Sequence, residues 1–335
     1  MKSLLFIKPN NIEIIDKELR KPESNELIIK IDTCGVCGTD FHIFRGESLA
    51  NKNTILGHEF SGIVYDNNNI ADFNLGDKVV VDPNIYCGTC YYCRQGKINF
   101  CINHKALGVT EDGGFAEYAI VPAKQAYKIP SYISLSTIAF AEPLSCCLRA
   151  INKTIINSGE SVIIFGGGSI GLLMLQLVKL RGASKVILIE PIKLRQQLAQ
   201  KLGADYVFAP NENNLKTIIY DITHGGADTI IDCVGKPEIL SLSIELINRG
   251  GKIILFGVPP IHSNVSLELH KIFLNELTIT SSYLNPYTFN YAIELLVNHK
   301  IDVEQLPVKK VDIESVKNIL ESGADESIIK YQFHN

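Results

Sequence analysis

Four cysteines, Cys87, Cys90, Cys93 and Cys101, are spaced C-x2-C-x2-C-x7-C. Two-residue gaps let neighbouring thiolates reach one ion, and four soft ligands suit tetrahedral zinc with no open position. A site closed in this way is structural: it ties down a loop, residues 83–103, that is too short and polar to pack by itself. Iron–sulfur clusters also use cysteine runs with two-residue gaps and are the chemical rival. A second group is mixed. Cys34-Gly35-Val36-Cys37-Gly38-Thr39-Asp40 is followed by Gly57-His58-Glu59. A thiolate, an imidazole and carboxylates are sound zinc ligands, and three of them with a water make a catalytic site. Cys34 and Cys37 are also spaced to chelate together, so spacing alone leaves the choice of ligands open.

A third pattern handles phosphate. Gly166-Gly167-Gly168-Ser169-Ile170-Gly171 reads G-x-G-x-x-G, after an apolar run and before a stretch of helical length. That context is the one a dinucleotide turn requires. Gly166 permits the tight turn, Gly168 lets backbone approach a pyrophosphate, and Gly171 lets helix pack on strand. Ser169 and Ile170 open the helix, whose free N–H groups and positive dipole end face the phosphates. Glu190 closes the next strand. A carboxylate there binds both ribose hydroxyls and repels a 2′-phosphate, which favours NAD over NADP. Lys193 and Arg195 follow and could meet a phosphate, so Arg195 is counted with the cofactor-facing residues.

These groups need elements to hold them, and the texture of the chain changes near residue 150. Before it, short β-rich runs alternate with turns: 26–31, 60–65, 78–81 and 115–121. Beyond it, strands at 161–165, 185–190, 206–209, 229–233, 252–256 and 277–281 alternate with helices at 170–180, 194–202, about 212–222 and 237–248. That rhythm predicts a parallel sheet covered on both faces. Six strands match one complete doubly wound sheet. Val234 and Val258 follow its fourth and fifth strands, where ligands sit in such folds. The last fifty residues are too few for a third domain and return to the first.

Composition sets the bounds. The chain has 335 residues, 46% of them hydrophobic and 20% charged, and a net charge of −4. Its mean hydropathy is +0.13. This is a globular protein of two domains, not a disordered chain, a collagen or a coiled coil. No basic block suggests nucleic acid. The start, Met1 to Pro9, has too short an apolar run for a signal peptide. The stretch 162–178 is broken by Gly166-Gly167-Gly168 and is rejected as a membrane span. A cytoplasmic setting follows, where nine cysteines mean metal more than disulfides.

Taken in order, Cys-Gly-Val-Cys-Gly-Thr-Asp (34–40), Gly-His-Glu-x-x-Gly (57–62), the four-cysteine lobe, Asp-Gly-Gly-Phe-Ala-Glu-Tyr (112–118), Glu-Pro-Leu-Ser (142–145) and the glycine turn resemble the zinc-dependent medium-chain alcohol dehydrogenases. The likeness covers essentially the whole chain. It looks most like the polyol side of that superfamily: sorbitol, threonine, butanediol and hexonate dehydrogenases. The phrase at 113–124 is similar to bacterial hexonate or sugar-acid dehydrogenases.

The resemblance implies a GroES-like catalytic domain from residues 1–148 and 286–335, with a Rossmann NAD-binding domain, 149–285, inserted between them. It implies two zinc ions per chain. Cys37, rather than Cys34, is the first catalytic ligand, His58 the second and Glu142 the third; Cys146 and Cys147 are off the motif. Glu59 can approach the zinc when its water leaves. Asp40 orients His58. Thr39 and His42 form a proton path, from the alcohol through Thr39 and the cofactor ribose to His42 near solvent. The remaining histidines, His104, His224 and His270 among them, match no motif and read as structural or exposed. Arg45, Glu47 and Tyr283 to Asn285 are candidates to line the substrate pocket. Asn68 stands where the family has Gly or Ala, and asparagine tolerates the positive φ of a tight turn. The reaction implied is hydride transfer from a secondary alcohol of a polyol or sugar acid to NAD, in a homodimer or homotetramer that binds no nucleic acid or membrane. Threonine or butanediol-type oxidation, a zinc-free reductase and a non-catalytic NAD-binding regulator are the rivals.

Overall fold

A computed structural model describes all residues, Met1–Asn335. The strands that matter here are β1 (Glu26–Gly35), β2 (Glu59–Asp66), β3 (Lys78–Val81), β4 (Asn84–Ile85), β5 (Lys105–Ala106), β6 (Tyr118–Pro122), β7 (Ala126–Lys128), β8 (Ser161–Phe165), β9 (Lys185–Ile189), β10 (Tyr206–Phe208), β11 (Ala227–Asp232), β12 (Ile247–Leu255), β13 (Thr278–Ser281), β14 (Val308–Val311) and β15 (Lys330–His334). Four helices carry candidate residues: α1 (Gly38–Arg45), α2 (Ala141–Thr154), α3 (Ser169–Leu180) and α4 (Lys193–Lys201). The chain divides into two compact units, Met1–Ser145 with Asn285–Asn335, and Cys146–Leu284.

The first unit is β-rich. Its main sheet runs β7-β3-β2-β1-β15-β14, with β6 also paired to β1. The tail closes this sheet: β15 lies antiparallel to β1, with Phe333 opposite Cys34 and Gln332 opposite Gly35. Alternation along β1 explains the core. Leu27, Ile29 and Ile31 point inward with Phe60, Val79, Val81, Phe115 and Phe333. Each such side chain contributes about 1.5–3 kcal/mol by leaving water. The four-cysteine lobe springs from between β4 and β5, which pair antiparallel at Asn84 and Ala106. Asn68 adopts φ 46°, the left-handed turn expected of it.

The second unit is a six-stranded sheet in the order β10-β9-β8-β11-β12-β13, with all five pairings parallel. Ile163, Phe165, Ile187, Ile189, Ile230 and Ile253 fill its core. The order reverses between β8 and β11, and ligands bind at the carboxyl ends of strands beside such a reversal. The helix expected over 237–248 ends at Leu246, and β12 begins at Ile247, five residues before the expected start. The register against β11 slips between Ala227 and Thr229, so β12 carries an irregular first half that hydrophobic period alone does not reveal. No helix is long and apolar enough to cross a membrane.

Candidate metal centres and dinucleotide turn

Cys37 caps α1. Its backbone N–H donates to Asp40 Oδ2 at 2.8 Å, the reciprocal bond of a capping box. The other Asp40 oxygen faces His58 Nδ1 at 3.5 Å. One fully buried carboxylate thus caps the start of α1 with one oxygen and turns the other towards the ring of His58. His58 immediately precedes β2, which opens with Glu59. Cys37, His58 and Glu59 bring ligand atoms within 4.8 Å of one another. Glu142, in the first turn of α2, is buried and lies outside that trio. Cys34 is buried in the core beside Gly35 and does not join the cluster.

The cluster is electrostatically unfinished. His58 Nδ1, Asp40 Oδ1 and Glu59 Oε1 are buried without a hydrogen bond, and Glu59 Oε2 meets only the ammonium of Lys330. Burial opposes charge on His58, yet the neighbouring Asp40 and Cys37 outweigh it and hold the imidazole well above the ordinary histidine range. A thiol and carboxyls gathered round one imidazole, with Lys330 the other cation beside them, are a donor set that a divalent cation satisfies better. The residues present therefore fit a catalytic zinc.

Sequence reasoning missed Lys330. Its side chain is buried on β15 and forms an ion pair with Glu59. Burial disfavours the ammonium charge, but Glu59 and Cys37 more than restore it and raise its pKa. Gly35 makes room: a Cβ there would run into the Glu59 carboxylate and the Lys330 stem. A lysine in a short C-terminal strand carries no local signal of such a partner.

Thr39 and His42 sit one turn apart on α1, so they share a face. Thr39 Oγ1 is 3.7 Å from Cys37 Sγ. His42 is half-buried, with Nδ1 2.7 Å from Glu47 Oε2. The backbone N–H of Glu47 donates to the His42 carbonyl at 2.8 Å, so the chain turns back after α1 and brings the Glu47 carboxylate to the edge of the ring.

The lobe cysteines converge in the same way. Cys87, Cys90, Cys93 and Cys101 lie within 4.8 Å of one another, and all are free thiols. Cys90 N–H donates to Cys87 Sγ and Cys87 N–H to Cys101 Sγ, each at 3.4 Å. Donors from Thr89 and Cys90 draw the Cys87 thiol down to about 5. Burial pushes Cys93 up to about 12. Four sulfurs this close cannot all ionise unaided, and a zinc ion at their centre resolves the conflict.

In the second unit the glycine turn joins β8 to α3. Gly166 adopts φ 95°, and a Cβ on Gly171 would collide with the Gly166 carbonyl. Ser169 and Ile170 form the first turn of α3. Glu190 is buried and accepts the Gly167 N–H at 2.5 Å and the Ile192 N–H at 2.9 Å. Its carboxylate therefore braces the turn from below, a role the sequence alone did not suggest. Arg195 lies in α4, half-buried. Val234 and Val258 are exposed just beyond the carboxyl ends of β11 and β12. Of the suggested pocket residues, Arg45, Glu47 and Tyr283 are exposed, whereas Asn285 is buried in a polar network.

Two family models match the chain: the alcohol dehydrogenase GroES-like domain over residues 23–131, and zinc-binding dehydrogenase over residues 169–298. D-arabinitol dehydrogenase 1 of Uromyces fabae is 31% identical over 98% of this chain and 96% of its own. L-threonine 3-dehydrogenase of Pyrococcus abyssi is 35% identical over 82% of this chain and 80% of its own. Among solved structures, a protein of Sinorhizobium meliloti 1021 bound to NADP matches with a TM-score of 0.95 at 33% identity, covering 100% of this chain and 99% of that one. The alcohol dehydrogenase rspB of Escherichia coli CFT073, solved with NADH, matches with a TM-score of 0.92 at 31% identity and the same coverage.

Proposed function

The chain belongs to the zinc-dependent medium-chain alcohol dehydrogenase family, and from that premise we propose that it oxidises a secondary alcohol of a polyol or sugar acid to the ketone, with NAD as hydride acceptor. The observation that carries this reading is the incompletely satisfied cluster of half-buried Cys37 with buried His58 and Glu59, and Asp40 behind it. Zinc bound there supplies a Lewis acid that polarises the alcohol oxygen, and NAD accepts the hydride.

The chain's own residues do the rest. Cys37, His58 and Glu142 would hold the metal, with Glu59 as a further carboxylate able to approach it. Asp40 keeps the His58 ring in place. Thr39 takes the hydroxyl proton, and His42, with Glu47 against Nδ1, delivers it towards solvent. The lobe cysteines hold a second, structural zinc. Gly166 to Gly171 and the start of α3 receive the pyrophosphate, and Arg195, Val234 and Val258 border the cofactor. One relative carries NADP and another NADH. NAD is preferred here because the buried charge of Glu190 stands directly under the turn, where a 2′-phosphate would be repelled.

We place the working form in the cytosol, in keeping with its nine free thiols. A homodimer or homotetramer is the working assembly. In support, β13 is an edge strand paired only with β12, and Leu269 and Phe273, just before it, are 76% and 78% exposed.

The test is NAD reduction across polyols, hexonates, threonine, butanediol and simple secondary alcohols, with NADP and a chelator in parallel. Chelator-sensitive turnover of one hydroxylated class supports the reading. Threonine as the sole substrate replaces the polyol assignment. NADH binding without turnover by zinc-replete protein replaces it with a regulator.

A further inference from the structure

A chain of buried polar side chains leads from the neck of the four-cysteine lobe to the helix that carries Glu142. His104 follows the last lobe cysteine, and burial lowers its pKa, so its ring is neutral at neutral pH. Its Nε2–H donates to Asn84 Oδ1 at 3.0 Å, across the base of the lobe. Asn84 Nδ2 donates to Asn285 Oδ1 at 2.8 Å. Asn285 Nδ2 donates to Ser145 Oγ at 2.9 Å. Ser145 Oγ–H donates to the Glu142 carbonyl at 2.6 Å. Every link runs in one direction, and flipping either amide would set donor against donor and acceptor against acceptor. Asn84, Asn285 and Ser145 are all buried.

Further bonds hold this chain in place. Asp82 Oδ1 accepts from the Asn84 N–H at 3.1 Å and from Asn285 Nδ2 at 3.3 Å. Thr288 Oγ1 donates to the Ser145 carbonyl at 2.7 Å. Gln125 Nε2 donates to the Asn84 carbonyl at 2.6 Å. A fully satisfied buried network of this kind specifies one geometry, because any broken link leaves a desolvated polar group. Packing alone does not call for it, since apolar side chains would fill the same space.

We propose that Asn84, Asn285 and Ser145 are positioning residues for Glu142: they tie the first turn of α2 to the neck of the four-cysteine lobe and so set how Glu142 meets the catalytic metal. The proposal rests on the reading of Glu142 as a ligand. It predicts that cutting the chain of bonds far from the metal alters the metal's coordination.

The experiment uses full-length, zinc-loaded enzyme whose catalytic zinc has been exchanged for Co(II). Its readouts are the visible Co(II) bands, the Co(II) affinity and the zinc retained in the lobe. Asn285→Ala removes the central link. Ser145→Ala removes only a hydroxyl and serves if the first variant does not fold. Both should shift the Co(II) bands and weaken Co(II) binding by about 10-fold, the scale of an outer-shell partner. The lobe should keep its zinc, and kcat should fall with the KM for NAD unchanged. His104→Ala, which cuts the chain at the lobe, should move the bands in the same direction. Wild-type bands and affinity in the Asn285 and Ser145 variants, with only the melting temperature lowered, overturn the proposal. Glu142→Ala, run alongside, separates two failures. If it too leaves Co(II) unchanged, the ligand assignment is wrong; if it alone shifts Co(II), the ligand stands and the positioning role falls.

Discussion

Lys330 and Glu59 form a buried ion pair beside the Cys37–His58 cluster, joining the C-terminal strand to the residue that follows the histidine. The pair has a defined structural weight. Removing one partner of a buried pair strands the other charge and costs about 3–5 kcal/mol. Lys330→Ala should therefore lower the melting temperature by several degrees. The double variant Lys330→Met with Glu59→Gln should recover much of that loss. A single variant as stable as wild type would mean that water or metal already neutralises Glu59.

Cys37→Ala and His58→Ala should each reduce zinc from two ions per chain to one. The fold should persist by circular dichroism, because the lobe and both cores are untouched. Turnover should fall by at least about a thousandfold, since a Lewis-acid metal is worth several kcal/mol in the transition state. Either variant retaining substantial activity would refute the metal mechanism.

Cys90→Ser should have the complementary effect. It removes one of four converging sulfurs, so the lobe loses its zinc and with it folding free energy. Zinc analysis should give one ion per chain, and thermal unfolding should begin earlier, with the lobe the first segment cut by protease. A lobe that stays protected without zinc would argue that it packs without metal.

Glu190 links recognition to turn geometry. Glu190→Ala should raise the KM for NAD by about 10-fold or more, through loss of ribose bonds and of the brace under Gly167. The KM for NADP should rise less, because the repulsion of its 2′-phosphate is removed at the same time. Equal effects on the two cofactors would sink the NAD assignment. Glu190→Gln, which keeps an acceptor for the Gly167 N–H, separates bracing from charge.

Asp82 supplies a pH test. Burial raises its carboxyl from 3.8 to about 6. A group whose folded pKa is raised binds more protons in the folded state. Its stabilising contribution is complete below about pH 4, declines between about 4 and 6 and is lost above that window. The shift corresponds to about 3 kcal/mol. Asp82→Asn keeps an acceptor for Asn84 and Asn285 but cannot ionise. Urea melts from pH 4 to pH 8 should show the variant gaining on wild type as pH rises. A constant difference across that range would show that Asp82 does not titrate there.

Much of this protein could be read locally. The lobe follows from C-x2-C-x2-C-x7-C because ligands two residues apart share an ion in almost any loop. The glycine turn follows from its place between an apolar strand and a helix, and the parallel sheet from the alternation of the two. Asp40, three residues after Cys37, closes a capping box that depends only on helix geometry. Cys34 and Cys37 could not be told apart by spacing; in the fold Cys34 is buried beside Gly35, and β1 ends so that Cys37 caps α1 and lies with His58 and Glu59.

What the sequence by itself determined, then, are the features whose partners lie within a turn, a loop or one strand–helix unit, where backbone periodicity fixes the distance. Only the tertiary structure decided the rest: that Lys330 faces Glu59, that Asn285 joins Asn84 to Ser145, and that Glu190 braces Gly167. Their partners are brought together by strand register and chain return, and neither leaves a trace at the residues themselves. A buried lysine or asparagine looks in sequence like any surface polar residue, until the fold removes water and supplies the one partner that makes its burial tolerable.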